Sequence, residues 1–208
     1  MKLGAGDALV VVDIQYDFLP GGSLAVAGGD EIIAPVNALA RRFETVVQTQ
    51  DWHPAGHISF ASSHPGKAPF ETIALAYGPQ VLWPDHCVIG SHGAAFAAGL
   101  ELPNCQMIVR KGFHPRVDSY SGFREADRRT PTGLAGYLNE RGLRRLFVVG
   151  LATDFCVSWT AEDAAAAGFE AIVVEDLTRA IDTAGSLAAA WTRMTAAGVK
   201  RVQMADLG

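Results

Sequence analysis

Short apolar runs rich in β-branched residues recur along the chain, and they do not alternate with polar residues. Strands that are buried on both faces of a parallel sheet have this pattern. The predicted strands cover residues 8–14, 45–49, 107–110, 146–150, 171–175 and 199–204. The pattern does not give their order in the sheet.

Between these runs lie stretches in which apolar residues have helical spacing. The predicted helices cover residues 30–43, 132–141, 154–167 and 184–197. Asp30 is expected to cap the first helix, and a glycine follows each of the other three, as is common at helix ends. Strands that alternate with helices predict an α/β protein, with a mostly parallel central sheet between two helical layers. A length of 208 residues suits a single domain over residues 1–208.

One region breaks the alternation of strands and helices. Residues 51–102 are rich in His, Pro, Gly and Ser, and they carry neither helical nor strand periodicity. A loop region of this length inside a compact domain is usually functional. We therefore expect residues 51–102 to contribute to a binding site.

Polar side chains close four of the predicted strands. Asp13 ends the first, and Asp51 and His53 follow the second. Lys111 follows the third, and Cys156 lies in the turn after the fourth. Ligands bind at the carboxyl ends of strands in open α/β sheets. The sequence therefore predicts a site at this edge that contains a carboxylate, a lysine, a thiol and an Asp–His pair that could bind a metal ion.

Cys156 is the candidate nucleophile. In the first turn of a helix, the helix dipole and the free N–H groups favour a thiolate and can bind an oxyanion. The alternative is a small core residue, which is common for free cysteine. Asp13 and Lys111 favour the catalytic interpretation, although a strand-end cap or a salt bridge would also explain them. Asp13 can move the thiol proton to a leaving group, while Lys111 holds the carboxylate and stabilises negative charge.

Asp51, His53 and His86 form a candidate metal site. Residues 51 and 53 project to the same side of extended backbone, so their side chains can face one ion. One Asp and two His with open positions suit a catalytic Zn²⁺, Fe²⁺ or Mn²⁺. The alternative is that these histidines are merely solvated or packed. Whether His57 is a further ligand stays open.

Composition and charge narrow the range of partners. Hydrophobic residues make up 49% and charged residues 19%, with a net charge of −5 and no long run of one sign. This balance disfavours a nucleic-acid partner and leaves a small molecule. Three cysteines are too few for a disulfide framework and favour a cytoplasmic protein. No apolar run reaches the ~18 residues of a membrane span.

Several of these segments together resemble the signature of nicotinamidases, which belong to the isochorismatase-like cysteine hydrolases. The resemblance covers nearly the whole chain in the family's order. The matching segments are 13–18 (DIQYDF), 51–54 (DWHP), 83–87 (WPDHC), 111–112 (KG) and 150–157 (GLATDFCV).

The resemblance implies a doubly wound α/β/α fold of the isochorismatase-like type. It implies hydrolysis of nicotinamide to nicotinate and ammonia in NAD salvage, with pyrazinamide as a surrogate substrate. By motif position, the catalytic triad would be Asp13, Lys111 and Cys156. The metal ligands would be Asp51, His53 and His86, with Zn²⁺ as the favoured ion.

The resemblance also implies finer features of the site. The peptide bond Leu151–Ala152 is often cis in the family, and the N–H groups of Ala152 and Cys156 would form the oxyanion hole. Phe18, Trp83 and Tyr120 resemble the aromatic walls of the family's pocket.

Three alternatives compete with this interpretation. A related hydrolase acting on a carbamoyl or ureido compound would keep the triad without needing the metal cluster. A non-catalytic binding or metal-storage protein would not need an activated thiol. A nucleotide-binding domain is disfavoured, because neither glycine-rich phosphate motif is present. A homo-oligomer is allowed by the sequence, and the role of residues 116–129 stays open.

Overall fold

A computed structural model describes residues 1–208 and contains a six-stranded parallel sheet with flanking helices. Two further strands form a separate antiparallel hairpin. The strands are β1 Asp7–Val12, β2 Thr45–Asp51, β3 Thr72–Leu75, β4 Gly78–Val81, β5 Cys105–Lys111, β6 Arg145–Leu151, β7 Glu170–Arg179 and β8 Lys200–Val202. The helices are α1 Ile33–Ala40, α2 Leu134–Glu140, α3 Ser158–Ala166 and α4 Ser186–Ala196.

The sheet has the strand order β5-β2-β1-β6-β7-β8, and every neighbouring pair is parallel. The predicted α/β fold with its parallel sheet is therefore confirmed. Successive residues of β1 point to opposite faces of the sheet, and each face packs against its own hydrophobic core. Leu9 and Val11 pack in one core cluster, and Val10 and Val12 pack in the other. The first cluster includes apolar residues of α1, and the second includes those of α2, α3 and α4.

Some element boundaries differ from the sequence-based predictions. The prediction that Asp30 caps the first helix is wrong. Helix α1 begins at Ile33, and the preceding residue, Ile32, provides no side-chain cap. The backbone carbonyl of Asp30, rather than its side chain, accepts a hydrogen bond from Ile33 N–H. The predicted helix 154–167 divides into a π-helical turn, Thr153–Val157, and α3.

The region 51–102 is mostly irregular, as expected, but it contains the hairpin β3–β4. Its alternation of exposed and half-buried residues covers only four residues in β3, which is too short to stand out in the sequence. No helix of the protein is both long enough and apolar enough to cross a membrane.

Candidate active site

Four neighbouring strands end at one edge of the sheet, and each brings a polar side chain there. Asp13 follows β1, and Asp51 and Lys111 are the last residues of β2 and β5. Cys156 lies in the π-helical turn Thr153–Val157 after β6. Because β5, β2, β1 and β6 are adjacent in that order, the structure brings these side chains together.

Lys111 lies at the centre of the site and is fully buried. Its Nζ is 2.8 Å from Oδ2 of Asp13, 2.9 Å from Oδ1 of Asp51 and 3.4 Å from Sγ of Cys156. It also donates a hydrogen bond of 3.3 Å to the carbonyl oxygen of Ser119. One ammonium group thus connects the candidate nucleophile to both carboxylates.

The charges in this site depend strongly on burial. Burial raises the pKa of Cys156 well above its usual value, and the ammonium of Lys111 opposes this shift without cancelling it. Burial therefore acts against the thiolate that the helix start favours. Burial also raises the pKa of Asp13, against the attraction of Lys111 and a hydrogen bond of 2.6 Å from Thr49 Oγ1. Burial alone would lower the pKa of Lys111, but Asp13 and Asp51 hold it well above its usual value.

These shifts define the resting state of the site. Burial favours the neutral thiol of Cys156, and the two carboxylates favour the cation of Lys111. A carboxylate with a raised pKa, such as Asp13, is a better proton acceptor than an ordinary one. The arrangement suits a thiol that loses its proton only when it reacts.

Ala152 directly precedes the turn that carries Cys156. The peptide bond Leu151–Ala152 is cis. The carbonyl oxygen of Ala152 accepts hydrogen bonds of 3.1 Å from the N–H groups of Phe155 and Val157. The N–H of Ala152 itself donates no hydrogen bond within the chain. It is therefore available to a ligand beside the thiol.

Gly150 allows β6 to approach β1 just before this turn. Its φ is +113°, and a Cβ there would lie 2.1 Å from the carbonyl oxygen of Val12. Only glycine fits this contact and this backbone conformation. The position of Cys156 relative to the end of β1 depends on it.

Asp51, His53 and His86 form a buried cluster whose potential ligand atoms all lie within 4.8 Å of one another. Oδ2 of Asp51 is 3.1 Å from Nε2 of His53 and 3.3 Å from Nε2 of His86. The two Nδ1 atoms lie 2.8 Å from the carbonyl oxygens of Gly112 and Pro84. Bonding of Nδ1–H to a carbonyl leaves the Nε2 lone pair free for a metal ion, a common arrangement at metal sites. The three residues therefore fit a divalent ion.

His57 lies beside this cluster without a free ring nitrogen. Its ring centroid is 4.3 Å from that of His53. Nδ1 is 2.8 Å from Ser59 Oγ, and Nε2 is 2.9 Å from the carbonyl oxygen of His114. A ligand role would require His57 to give up one of these bonds. His57 also belongs to a second group of possible ligands, with His53 and Asp118, whose ligand atoms lie within 4.8 Å of one another.

A small pocket lies between the thiol and this cluster. Phe18, Trp83 and Tyr120, the aromatic residues named from the sequence, all line it. The lining residues are Phe18, Leu24, Asp51, His53, Trp83, His86, Asp118, Ser119, Tyr120, Ala152, Phe155, Cys156 and Ile181. Sequence reasoning missed Leu24, Asp118, Ser119, Phe155 and Ile181. Of these, only Phe155 carried a usable signal, namely its place beside the candidate nucleophile.

Residues 118–120 are held by the hairpin β3–β4. Gln80 Nε2 of β4 donates to Oδ2 of Asp118 at 2.6 Å and to the hydroxyl of Tyr120 at 3.0 Å. That hydroxyl accepts a second hydrogen bond of 3.0 Å from Nε1 of Trp83. The segment 116–129, whose role the sequence left open, thus supplies part of the pocket wall.

The sequence and the fold identify the class of protein. A model of the isochorismatase domain matches residues 7–206. The chain therefore belongs to the isochorismatase family, whose fold matches the parallel sheet and helical layers described above.

Within this family the chain is similar to nicotinamidases, which are amidohydrolases. It is 57% identical to a nicotinamidase of Acinetobacter baylyi, with 100% of this chain and 97% of the relative covered. A structure of Acinetobacter baumanii nicotinamidase and pyrazinamidase is 58% identical, with a TM-score of 0.97 and 98% of each chain covered. A structure of Pyrococcus horikoshii pyrazinamidase in complex with zinc is 36% identical, with a TM-score of 0.78 and coverage of 96% and 99%. These relatives support the nicotinamidase interpretation over the carbamoyl or ureido alternative.

Proposed function

We propose that this protein hydrolyses nicotinamide to nicotinate and ammonia, with Cys156 as the nucleophile. The observation that carries the proposal is the contact of Lys111 Nζ with both Asp13 Oδ2 (2.8 Å) and Cys156 Sγ (3.4 Å) at a pocket with aromatic walls. The similarity to nicotinamidases over the whole chain supports the same substrate. Pyrazinamide, which has the same carboxamide on a related ring, is a second expected substrate.

In the first half of the proposed reaction, the carboxamide becomes a thioester. Asp13 accepts the proton of the Cys156 thiol as sulfur attacks the carboxamide carbon. The N–H groups of Ala152 and Cys156 bind the oxygen that gains negative charge, a contribution of roughly 3–4 kcal/mol per donor in known enzymes. The C–N bond then breaks, and Asp13 returns the proton to the nitrogen, which leaves as ammonia.

In the second half, water cleaves the thioester. Asp13 accepts a proton from the attacking water, and the C–S bond breaks to give nicotinate. Cys156 leaves as a thiolate and recovers its proton from Asp13. Lys111 remains a cation throughout and stabilises the negative charge shared by the thiol and the carboxylates.

The proposal includes a divalent metal ion held by Asp51, His53 and His86, with Zn²⁺ preferred and Fe²⁺ or Mn²⁺ as alternatives. When bound, such an ion would supply a Lewis-acidic anchor for the pyridine nitrogen. Phe18, Trp83 and Tyr120 would then enclose the ring. The same proposal assigns the enzyme to NAD salvage in the cytoplasm, which is consistent with three unpaired cysteines. A homo-oligomeric state stays a prediction.

A coupled ammonia assay with nicotinamide, run beside metal analysis of the purified protein, tests the proposal. We expect ammonia release from nicotinamide and about one divalent ion per chain. The Cys156→Ala variant tests the nucleophile. Cys105→Ala is its matched control, since Cys105 is a free cysteine outside the pocket. Absence of ammonia from the metal-loaded, folded protein would refute the proposed activity.

A further inference from the structure

The turn that carries Cys156 also carries a buried carboxylate that the proposed reaction does not use. Asp154 is only 2% exposed and does not line the pocket. Oδ1 accepts a hydrogen bond of 3.1 Å from Ile181 N–H. Oδ2 accepts hydrogen bonds of 2.8 Å from Asp182 N–H and 2.5 Å from Ser186 Oγ. All three donors lie between the end of β7 and the first residue of α4.

The segment between β7 and α4 does not hold its shape through favourable backbone conformations. Asp182 and Ala184 both have a φ of +50°. This left-handed conformation costs Ala184 roughly 1–2 kcal/mol, whereas an aspartate adopts it more readily. Two local hydrogen bonds support the segment, from Ser186 N–H to the Thr183 carbonyl and from Leu187 N–H to Oδ1 of Asp182, and contacts from outside add to them. Hydrogen bonds from N–H and O–H groups to a carboxylate are among the stronger ones in proteins, and Asp154 accepts three of them here.

This segment reaches the pocket through Ile181. Its side chain lines the cavity together with Phe155 and Cys156, and it packs against the core cluster that contains Phe18. One carboxylate therefore joins the turn that holds the nucleophile to the wall that faces the ring of the substrate.

We propose that Asp154 is a positioning residue that sets the affinity for the carboxamide substrate by holding Ile181 in the pocket wall. The proposal rests on the amidase function proposed above. Asp154 acts through the backbone of residues 181 and 182 and exchanges no proton with the substrate. Its removal should therefore weaken substrate binding more than it slows the chemical step.

The Asp154→Asn variant tests this role, because it keeps the side-chain shape and one acceptor oxygen. Its amide nitrogen can no longer accept a hydrogen bond, so one end of the segment is released. We expect KM for nicotinamide to rise about tenfold, with kcat changed less than about threefold, which is the pattern of lost uniform binding. Ser186→Ala removes only one of the three hydrogen bonds and should raise KM by a smaller factor.

Asp163→Asn is the matched control. Asp163 is similarly buried and is bonded to Arg128, but its side chain accepts no hydrogen bond from the segment between β7 and α4. We expect it to lower the thermal stability of the protein without changing KM. A comparable rise in KM for both Asn variants would show that a general loss of stability, rather than positioning, explains the effect.

A double-mutant cycle with Ile181→Ala tests whether Asp154 acts through this side chain. If it does, adding Asp154→Asn to Ile181→Ala should change KM less than about twofold, because the wall is already lost. Independent, multiplicative effects would overturn the proposal, as would an unchanged KM in Asp154→Asn. If that variant does not fold, the same cycle with Ser186→Ala decides the question. Wild-type protein without ammonia release would instead refute the proposed function, so the two failures are distinguishable.

Discussion

Gly112 offers the sharpest test of the metal site, because its substitution acts on a ligand without removing it. Gly112 follows β5 with a φ of +70°, and its carbonyl oxygen lies 2.8 Å from His53 Nδ1. A Cβ at this position would lie 2.4 Å from Cε1 and 2.7 Å from Nδ1 of that ring. Carbon atoms pack at about 3.5–4.0 Å, so the ring would have to move by about 1 Å. Gly112→Ala should therefore displace a metal ligand.

The expected magnitude has two parts. An alanine at a left-handed φ costs roughly 1–2 kcal/mol of folding free energy. Disturbing a partner that orients a metal-binding histidine typically costs 10–100-fold in metal affinity, or roughly 1.4–2.8 kcal/mol. Gly112→Ala should show both losses.

Gly142→Ala isolates the first part. Gly142 has a φ of +71°, and a Cβ there would meet no atom within 4 Å. It therefore shares the backbone cost of Gly112→Ala without the contact to His53. We expect similar unfolding free energies of the two metal-free variants, apart from any added cost of the steric clash.

The assay is Zn²⁺ affinity, measured by competition with a chromogenic chelator in both variants and in the wild type. Gly142→Ala should bind Zn²⁺ as the wild type does, and Gly112→Ala should bind it at least about tenfold more weakly. Equal affinities in the two variants would refute the assignment of His53 as a ligand held by Gly112.

Four further predictions follow from the site. Cys156→Ala should lower ammonia release by at least about 10³-fold while circular dichroism stays unchanged, and substantial turnover would exclude it as the nucleophile. Chelation or His53→Ala should raise KM for nicotinamide, and unchanged kinetics after verified metal loss would contradict the metal model. Burial raises the pKa of Asp13, and its carboxylate is the active form. As the pH is lowered at saturating Zn²⁺, kcat/KM should therefore begin to fall at a pH above about 3.9, the usual pKa of an aspartate. A flat profile down to pH 4 would contradict this role. Tyr120→Phe leaves the indole N–H of the buried Trp83 without its acceptor and should lower the unfolding free energy by about 1–3 kcal/mol in urea titrations, whereas Tyr137→Phe, with one exposed hydrogen bond, should have little effect.

The sequence predicted the centre of the candidate site well for a simple geometric reason. Asp13, Asp51, Lys111 and Cys156 all lie at or just after the ends of parallel strands, and those ends share one edge of the sheet. Strand ends are visible as local changes from apolar to polar residues. Their meeting point then follows from the fold class, even though the strand order was not predicted.

The parts of the site that the sequence missed depend on contacts between distant segments. Gln80 bonds to Asp118, which lies 38 residues away, and no local pattern marks either residue as a partner of the other. Ile181 likewise reaches the pocket through bonds to Asp154. Such residues become visible only when the loops at the edge of the sheet are assembled.

The pKa of Cys156 shows a different limit of sequence reasoning. Its place in the first turn of a helix suggested a thiolate, since the helix dipole lowers the pKa of a thiol. The thiol is only 7% exposed, and burial raises its pKa well above the usual value despite Lys111 at 3.4 Å. A nucleophile that is neutral at rest needs a base, and Asp13 is the carboxylate bound to the same lysine. Burial therefore gives Asp13 the role of accepting the thiol proton in the proposed reaction, in addition to protonating the leaving nitrogen and activating the water.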